Sequence, residues 1–125
     1  MIAGIGVDTA AIDRIEKSIA KESFYTRVYG AAERISLDAL SPARRTQSAA
    51  AAWAAKEAFG KALGTGLSGF VWSEVQVLHD EHGAPYFAFD GSAAELMAQR
   101  ALKAHLSLTH EEGLATAFVV LEKCG

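Results

Sequence analysis

Two carboxylates and one lysine are the first residues of this sequence whose types and spacing can do chemistry. Asp8 follows a short apolar run and Glu57 lies in an alanine-rich segment, so each carboxylate stands among small or apolar neighbours. If these two segments pack side by side, Asp8 and Glu57 can bind one Mg²⁺, which takes few carboxylates and keeps water and phosphate as its other ligands. Lys61 lies four residues after Glu57 on the same helix face, where its ammonium can bind a phosphate. From spacing alone, an ordinary ion pair on a solvated helix face is the more common explanation of Glu57 and Lys61.

Basic side chains form two further candidate groups. On a helix, cations at positions i, i+3 and i+7 project together into solvent, and a solvated surface is the common explanation of such a face. These cations are Arg14, Lys17 and Lys21, with Arg27 as an extension. Arg44 and Arg45 lie in the first turn of another predicted helix, where the positive end of the helix dipole disfavours cations unless an anion is near. They are candidates for holding a phosphate, and a solvated helix start is the alternative.

A polar strand face near the end of the chain supplies the last candidates. His105, Ser107 and Thr109 alternate with two leucines, so the polar side chains share one face of a strand while the leucines enter the core. His110 follows at the turn. These hydroxyl and imidazole groups can hydrogen-bond a ligand, and a solvated strand face is equally compatible with the pattern.

The elements that must position these residues follow one another in a mixed order. A strand is predicted over residues 2–7, and Thr9 is the predicted N-cap of the basic helix. Ser41 and Pro42 predict the start of a long helix, which Gly64 ends with a left-handed stop. Further strands are predicted over residues 71–79, 86–89, 105–109 and 114–121, and a further helix over residues 92–101. This order predicts an α+β fold in which an antiparallel sheet packs against one long helix and shorter helices.

Composition and charge narrow the function classes. The sequence has 15 acidic and 12 basic side chains and a formal net charge of −3, which argues against general nucleic-acid binding. Half of its residues are hydrophobic, which is enough for one core, so residues 1–125 are predicted to form a single domain. No apolar stretch approaches the ~20 residues that span a bilayer, and no signal-peptide pattern is seen, so a cytoplasmic protein without a membrane partner is expected. Cys124 is the single cysteine and receives no role.

Three blocks of sequence are distributed along nearly the whole chain. The first is Gly-Ile-Gly-Val-Asp at residues 4–8, followed by Ile-Asp-Arg-Ile at residues 12–15. The second is Trp-Ala-Ala-Lys-Glu-Ala-Phe-Gly-Lys-Ala-Leu-Gly-Thr-Gly at residues 53–66. The third is His-Leu-Ser-Leu-Thr-His-Glu at residues 105–111, followed by Ala-Thr-Ala-Phe-Val-Val at residues 115–120. In order and spacing, these blocks resemble the holo-acyl-carrier-protein synthases, the small single-domain type of 4′-phosphopantetheinyl transferase.

The resemblance implies the fold of that family and an Mg²⁺-dependent enzyme that supports fatty acid biosynthesis. Such an enzyme transfers 4′-phosphopantetheine from coenzyme A to a serine of apo-acyl carrier protein and releases adenosine 3′,5′-bisphosphate. By the resemblance, Asp8 and Glu57 hold the metal and, together with Lys61, carry catalysis. Glu57, Lys61 and a metal-bound water all stay open as the general base. Thr109 stands where the family more often has serine, and both residues carry a hydroxyl.

The resemblance also implies where the substrates bind. By the resemblance, His105, Ser107, Thr109 and His110 help to hold the nucleotide part of coenzyme A. The predicted coenzyme A contacts also include Lys61 and Gly64, and Arg44 and Arg45, from their place in the first turn of a helix, as candidates for the 3′-phosphate. Acyl carrier proteins are strongly acidic, so complementary charge would steer them to the basic first helix. The predicted docking residues are Arg14, Lys17, Lys21 and Arg27.

The family is a homotrimer with active sites between neighbouring subunits, and the same assembly is expected here. Two other function classes stay open. One is a non-catalytic module that binds acyl carrier protein, and the other is an Mg²⁺-dependent nucleotide pyrophosphatase that uses water as the acceptor. The presence of Asp8, Glu57 and Lys61 argues against the first, and the basic helix would have no purpose in the second.

Overall fold

Five strands and five helices make up the fold in the computed structural model, which describes residues 1–125. The strands are β1 (Ile2–Ala11), β2 (Val75–His79), β3 (Pro85–Phe89), β4 (Leu102–Glu111) and β5 (Leu114–Lys123). The helices are α1 (Ile12–Ile19), α2 (Glu22–Val28), α3 (Ala31–Asp38), α4 (Pro42–Leu63) and α5 (Gly91–Gln99), with short 3₁₀ turns at Gly66–Gly69 and Trp72–Glu74. The predicted α+β class is confirmed.

The strands form two antiparallel sheets. β1, β5 and β4 pair in that order, while β2 and β3 form a separate two-stranded sheet. One face of the three-stranded sheet packs on α4, and its central strand places Ala115, Ala117, Val119 and Leu121 in the core. The opposite face has no covering element within the chain and carries exposed side chains. None of the helices combines the length and the apolar character that crossing a membrane requires.

Local signals determine both ends of the 22-residue helix α4, as the sequence predicts. The Ser41 hydroxyl accepts a hydrogen bond from the backbone N–H of Arg44, and Pro42 occupies the first turn, where its missing N–H costs nothing. Gly64 ends the helix in the left-handed region with φ of 84°. Most of the alanines of α4 are buried, so neighbouring elements approach this helix closely on several sides.

β1 lies against the backbone of α4 because two of its residues have no side chain. A methyl group at Gly4 would overlap the carbonyl oxygen of Ala62, and one at Gly6 would overlap the carbonyl oxygen of Ala58. Alternate residues of a strand share a face, so Asp8 is the next residue of β1 that faces α4. The close approach of the two backbones therefore delivers the Asp8 carboxylate to the helix.

The predicted end of the first strand is wrong. β1 continues to Ala11, and Thr9 lies within the strand rather than at a helix N-cap. The Thr9 hydroxyl is 3.0 Å from the hydroxyl of Thr116, its pairing partner in β5. Because β5 supplies partners as far as Leu114, the backbone stays extended and α1 begins later than predicted. Lys21 lies beyond the end of α1 and immediately before α2, so it does not share a helix face with Arg14.

The predicted strand over residues 71–79 is wrong in its first half. Trp72–Glu74 form a 3₁₀ turn, and β2 begins at Val75. The indole N–H of Trp72 donates to the carbonyl of Leu67 at 2.7 Å, which holds the turn in place. The other predicted elements are confirmed to within a few residues at their ends.

Candidate active site

Asp8 and Lys61 meet where β1 crosses the second half of α4. The Lys61 ammonium donates to the backbone carbonyl of Val7 at 3.0 Å and lies 3.3 Å from Asp8 Oδ1. The Lys61 side chain is 56% exposed and the Asp8 side chain 19%. The ammonium is therefore held by the strand while it stays accessible to an anionic ligand.

Glu57 completes this group, and the pKa of its carboxyl is raised to about 7. Burial is the largest cause, and the neighbouring Asp8 carboxylate adds to it through its charge and a hydrogen bond. The positive charges of Arg14 and Lys61 lower the pKa of Glu57 without offsetting these effects. The geometry thus places two carboxylates so close together that the ionised form of Glu57 is disfavoured when no cation is bound.

The raised pKa of Glu57 predicts the pH dependence of folding in the presence of a chelator. Its contribution to stability is present below the unfolded value of about 4.5 and is lost as the pH rises through the folded value of about 7. Solvent screening of this half-buried side chain limits the effect to about 1 kcal/mol. We expect Glu57→Gln to raise the Tm at pH 8 by roughly 4 °C and to leave it unchanged near pH 4, as measured by thermal unfolding. Equal Tm differences at both pH values would contradict the assignment.

The carboxylate pair fits a hard divalent cation. Asp8 and Glu57 offer oxygen ligands from two different elements, and a cation between them would relieve the charge repulsion that adds to the effect of burial on the pKa of Glu57. No group of three or more His, Cys, Asp or Glu side chains is arranged to hold a metal anywhere in the structure. A site with two carboxylates suits Mg²⁺, which commonly keeps waters and substrate phosphates as its remaining ligands.

A groove with basic side chains lies across the sheet from this group. It has a volume of about 230 Å³, and its lining includes Arg44, His79, Thr109 and His110. Leu108, which also lines the groove, pairs with Ala117 of β5, and Ala117 pairs with Asp8. Two strand spacings therefore separate the groove from Asp8, a distance of about 10 Å. His79 was not predicted, because nothing in its sequence surroundings marks it.

The other predicted nucleotide residues lie elsewhere. The Arg45 guanidinium is 3.5 Å from Asp38 Oδ1 and stacks over the ring of Tyr25, so it is occupied within the protein. On the outer face of the three-stranded sheet, His105 Nε2 is 2.9 Å from Glu122 Oε1, and Ser107 is exposed beside it. Gly64 lies at the C-terminal end of α4, and no atom stands within 4 Å of where its Cβ would be. The structure therefore gathers Arg44, Thr109 and His110 in one groove and leaves the rest apart.

The predicted docking residues do not all lie on one helix. Arg14 and Lys17 are exposed on α1, and the effect of Arg14 on the pKa of Glu57 shows that this face adjoins the carboxylates. Lys21 precedes α2, and the guanidinium of Arg27 lies 5.6 Å from the centre of the Trp72 ring. The basic surface is thus spread over the first two helices.

Lys56, for which the sequence predicted no role, is fully buried in the structure. Its ammonium donates to Glu33 Oε1 at 2.8 Å, on the side of α4 turned away from Asp8. The sequence signal for this site was a lysine within an alanine-rich helix segment, which indicates a buried position. A buried ammonium needs an anionic partner.

The sequence matches the family model of the 4′-phosphopantetheinyl transferase superfamily over residues 4–119. The chain belongs to this superfamily. Among curated relatives, the holo-[acyl-carrier-protein] synthase of Clavibacter michiganensis subsp. michiganensis is 46% identical over 124 residues, covering 98% of this chain and 97% of the relative. The synthase of Trichlorobacter lovleyi is 41% identical over 127 residues and 98% of both chains. The resemblance read from the three sequence blocks is confirmed, and so is the expectation of an enzyme.

Solved structures of the superfamily share the whole fold. The holo-[acyl-carrier-protein] synthase of Neisseria meningitidis superposes with a TM-score of 0.86 at 33% identity, over 98% of this chain and 100% of that chain. The synthase of Bacillus anthracis, solved in complex with CoA (3′,5′-ADP), gives a TM-score of 0.84 at 34% identity over 99% of both chains. The match extends through both sheets and α4, the elements that hold the carboxylates and the groove.

Proposed function

We propose that this transferase moves 4′-phosphopantetheine from coenzyme A to a serine of apo-acyl carrier protein, with Mg²⁺ as cofactor and adenosine 3′,5′-bisphosphate as the second product. The convergence of Asp8, Glu57 and Lys61, which lie about 10 Å from a basic groove, carries the proposal. Coenzyme A is long enough to reach from one to the other. The complex of the Bacillus anthracis relative with CoA (3′,5′-ADP) supports this choice of substrate.

The residues suit cleavage of a pyrophosphate. Asp8 and Glu57 would hold the metal, which when bound would polarise the phosphate oxygens and stabilise the charge on the leaving group. Lys61 donates to Val7 and Asp8, which leaves one of its three N–H groups for a phosphate oxygen. The serine hydroxyl would attack the phosphorus that carries pantetheine, and the bond from that phosphorus to the bridging oxygen would break, so that adenosine 3′,5′-bisphosphate leaves. Among the side chains, Glu57 and Lys61 are the candidates for the base that accepts the serine proton.

The groove is the proposed site of the nucleotide half of coenzyme A. Arg44 stands in the first turn of α4, where the positive end of the helix dipole also favours an anion. His110 and Thr109 offer further hydrogen bonds to a phosphate or ribose. Arg45 remains a predicted contact, and its Nε lies 3.5 Å from Asp38 Oδ1 within the protein.

An apolar patch on the uncovered sheet face supports the homotrimer. Ile5, Val7 and Phe118 are 61%, 54% and 44% exposed, and Val7 and Phe118 are paired neighbours on β1 and β5. Contiguous apolar surface of this kind marks a protein contact. A second copy packed there would also reach His105 and Ser107 on the same face, which fits an active site between subunits.

Substitution of one side chain in the apolar patch tests this assembly. We expect Phe118→Asp to yield monomers and to lower the transfer rate at least about tenfold, because a buried unpaired carboxylate is costly at an interface. Ile35→Asp is the matched control, since Ile35 is 74% exposed on α3, away from this face. Light scattering after size-exclusion chromatography measures the mass, and an unchanged mass for Phe118→Asp would exclude the patch as the subunit contact.

Charge reversal on α1 tests the docking surface. Lys17→Glu is expected to raise the KM for acyl carrier protein about tenfold at low salt and to weaken its salt dependence, since exposed charges steer an acidic partner. Lys17 is preferred to Arg14, whose charge also acts on Glu57. Lys123→Glu, an exposed lysine at the end of β5, is the control. Kinetics that are indistinguishable from wild type across a salt series would remove Lys17 from the docking site.

The transfer itself is tested by intact mass. Apo-acyl carrier protein is incubated with the enzyme, coenzyme A and Mg²⁺, alongside a chelated reaction and the Asp8→Asn variant. A gain of one phosphopantetheine that is lost in both controls is the expected result. Hydrolysis of coenzyme A without protein modification would establish a pyrophosphatase instead, and consumption of neither substrate would leave a binding module.

The acceptor connects the reaction to metabolism. The proposed acceptor is a carrier protein of fatty acid synthesis, and its activation would place the enzyme in that pathway. Depletion of the enzyme in its host should then raise the ratio of apo to holo carrier protein, measurable by the same mass method. The cytoplasmic location expected from the sequence stays a prediction.

A further inference from the structure

A buried polar network joins α4 to α3 and β2 on the side away from the carboxylates. Lys56 and Glu33 lie at its centre and are 0% and 1% exposed. The Lys56 ammonium donates to Glu33 Oε1 at 2.8 Å, to the carbonyl of Trp72 at 3.1 Å and to the carbonyl of Val75. All three of its N–H groups are thus used within the protein, and none can reach a substrate.

Glu33 extends the network to the two-stranded sheet. Its Oε1 accepts the backbone N–H of Gly30 and its Oε2 accepts that of Val77, both at 2.9 Å. The backbone N–H of Glu33 donates to Gln76 Oε1 at 2.9 Å, and Gln76 Nε2 donates to Asp90 Oδ2 at 2.6 Å. Three consecutive residues of β2, from Val75 to Val77, are therefore hydrogen-bonded to Lys56 or Glu33, Val75 and Val77 through the charged groups and Gln76 through the backbone of Glu33.

The end of β2 forms part of the groove. His79, two residues after Val77, lines the groove together with Arg44 and Ser48 of α4. A smaller cavity beside it has Glu33 at its lining as well as Ser48 and His79, so the network reaches the groove wall. The spacing between β2 and α4 therefore depends on the contacts that Lys56 and Glu33 make.

We propose that Lys56 and Glu33 are positioning residues that set the width of the groove for the nucleotide half of coenzyme A. A buried ion pair contributes little net stability compared with apolar residues of similar volume. The measurable effect of this pair is therefore expected in the position of β2 relative to α4. The hydrogen bonds of the pair are directional, and they hold β2 in a fixed position against α4. This inference rests on the proposed function of the groove.

The test removes both charges together, because a single change would leave an unpaired buried charge and unfold the protein. In Glu33→Gln/Lys56→Met, glutamine retains an acceptor for a backbone N–H and methionine fills the lysine volume. We expect the KM for coenzyme A to rise about tenfold, while kcat at saturating coenzyme A changes less than about threefold. The size of the Tm shift that Mg²⁺ causes should also change less than about threefold. Binding of adenosine 3′,5′-bisphosphate, measured by calorimetry, should weaken by the same factor as the KM rises.

Two further variants keep the result interpretable. Asp90→Ala removes only the exposed end of the network, so it serves as the test if the double variant does not fold. It is expected to raise the KM for coenzyme A about threefold. Tyr25→Phe removes a part-buried hydrogen bond to Asp38 outside the network, so it should lower the Tm without changing this KM. An unchanged KM in a folded network variant, or a loss of kcat alone, would overturn the proposal. Absence of transfer in the wild-type enzyme would instead refute the proposed function.

Discussion

Glu57→Gln is expected to reduce phosphopantetheine transfer by about 10³-fold while the protein folds normally. The change removes one of the two negative charges that would hold the metal and preserves the shape of the side chain. Loss of a single electrostatic contact to a transition state costs about 10²–10³-fold, and here the cation held by that charge is affected as well. Glu57 is half-buried, and glutamine has nearly the same shape, so the replacement preserves packing. It also removes a charge that Asp8 repels.

Two measurements separate loss of the metal from other causes. Intact mass of the carrier protein gives the transfer rate, and the Tm shift on addition of Mg²⁺ reports metal binding, which should disappear in Glu57→Gln. Glu95→Gln serves as the matched control, because Glu95 is exposed on α5. A wild-type transfer rate in Glu57→Gln would rule out the metal assignment.

Gly6→Ala is expected to lower both the stability of the fold and the rate of transfer. The new Cβ would overlap the carbonyl oxygen of Ala58, so β1 must move away from the backbone of α4. Overpacking of this kind costs about 1–3 kcal/mol, and the same movement withdraws Asp8 from Glu57 and Lys61. We expect a lower Tm together with a loss of transfer of about 10²-fold in the molecules that fold, because misplacement by about 1 Å can cost that much.

The clash of a Cβ at position 6 with a backbone carbonyl suggests a control variant. The contact is with a backbone carbonyl, so Ala58→Gly removes a methyl group without making room for the new Cβ. The double variant Gly6→Ala/Ala58→Gly should therefore be no more active than Gly6→Ala. Full recovery of activity in the double variant, or a Tm of Gly6→Ala equal to that of wild type, would show that β1 does not depend on this close approach.

Much of this architecture was predictable because the signals that determine it are local. The ends of α4 follow from Ser41, Pro42 and Gly64, whose effects act within one helical turn. The alternation of polar and apolar residues in β4 likewise determines which side chains enter the core. Where sequence neighbours decide the conformation, prediction and structure agree.

Residues far apart in the chain decided the rest. Thr9 lies in a strand because its partner Thr116 is 107 positions away in the sequence, and no pattern near Thr9 reports that partner. Arg45 is paired with Asp38 while the adjacent Arg44 enters the groove, a difference set by the direction of each side chain on α4. A spacing rule treats the two arginines alike, whereas packing separates them.

The candidate site shows the same division between sequence and structure. Asp8, Glu57 and Lys61 were identifiable by residue type and by the family motifs, since the chemistry of phosphate and metal binding needs these groups. Only the tertiary structure shows how they meet, because their convergence depends on two glycines of β1 that let one backbone lie against another. The role of Lys56 was decided by tertiary structure for a related reason. A lysine next to Glu57 in sequence points to another side of the helix, and the residues that surround it there come from α3, β2 and the turn before β2.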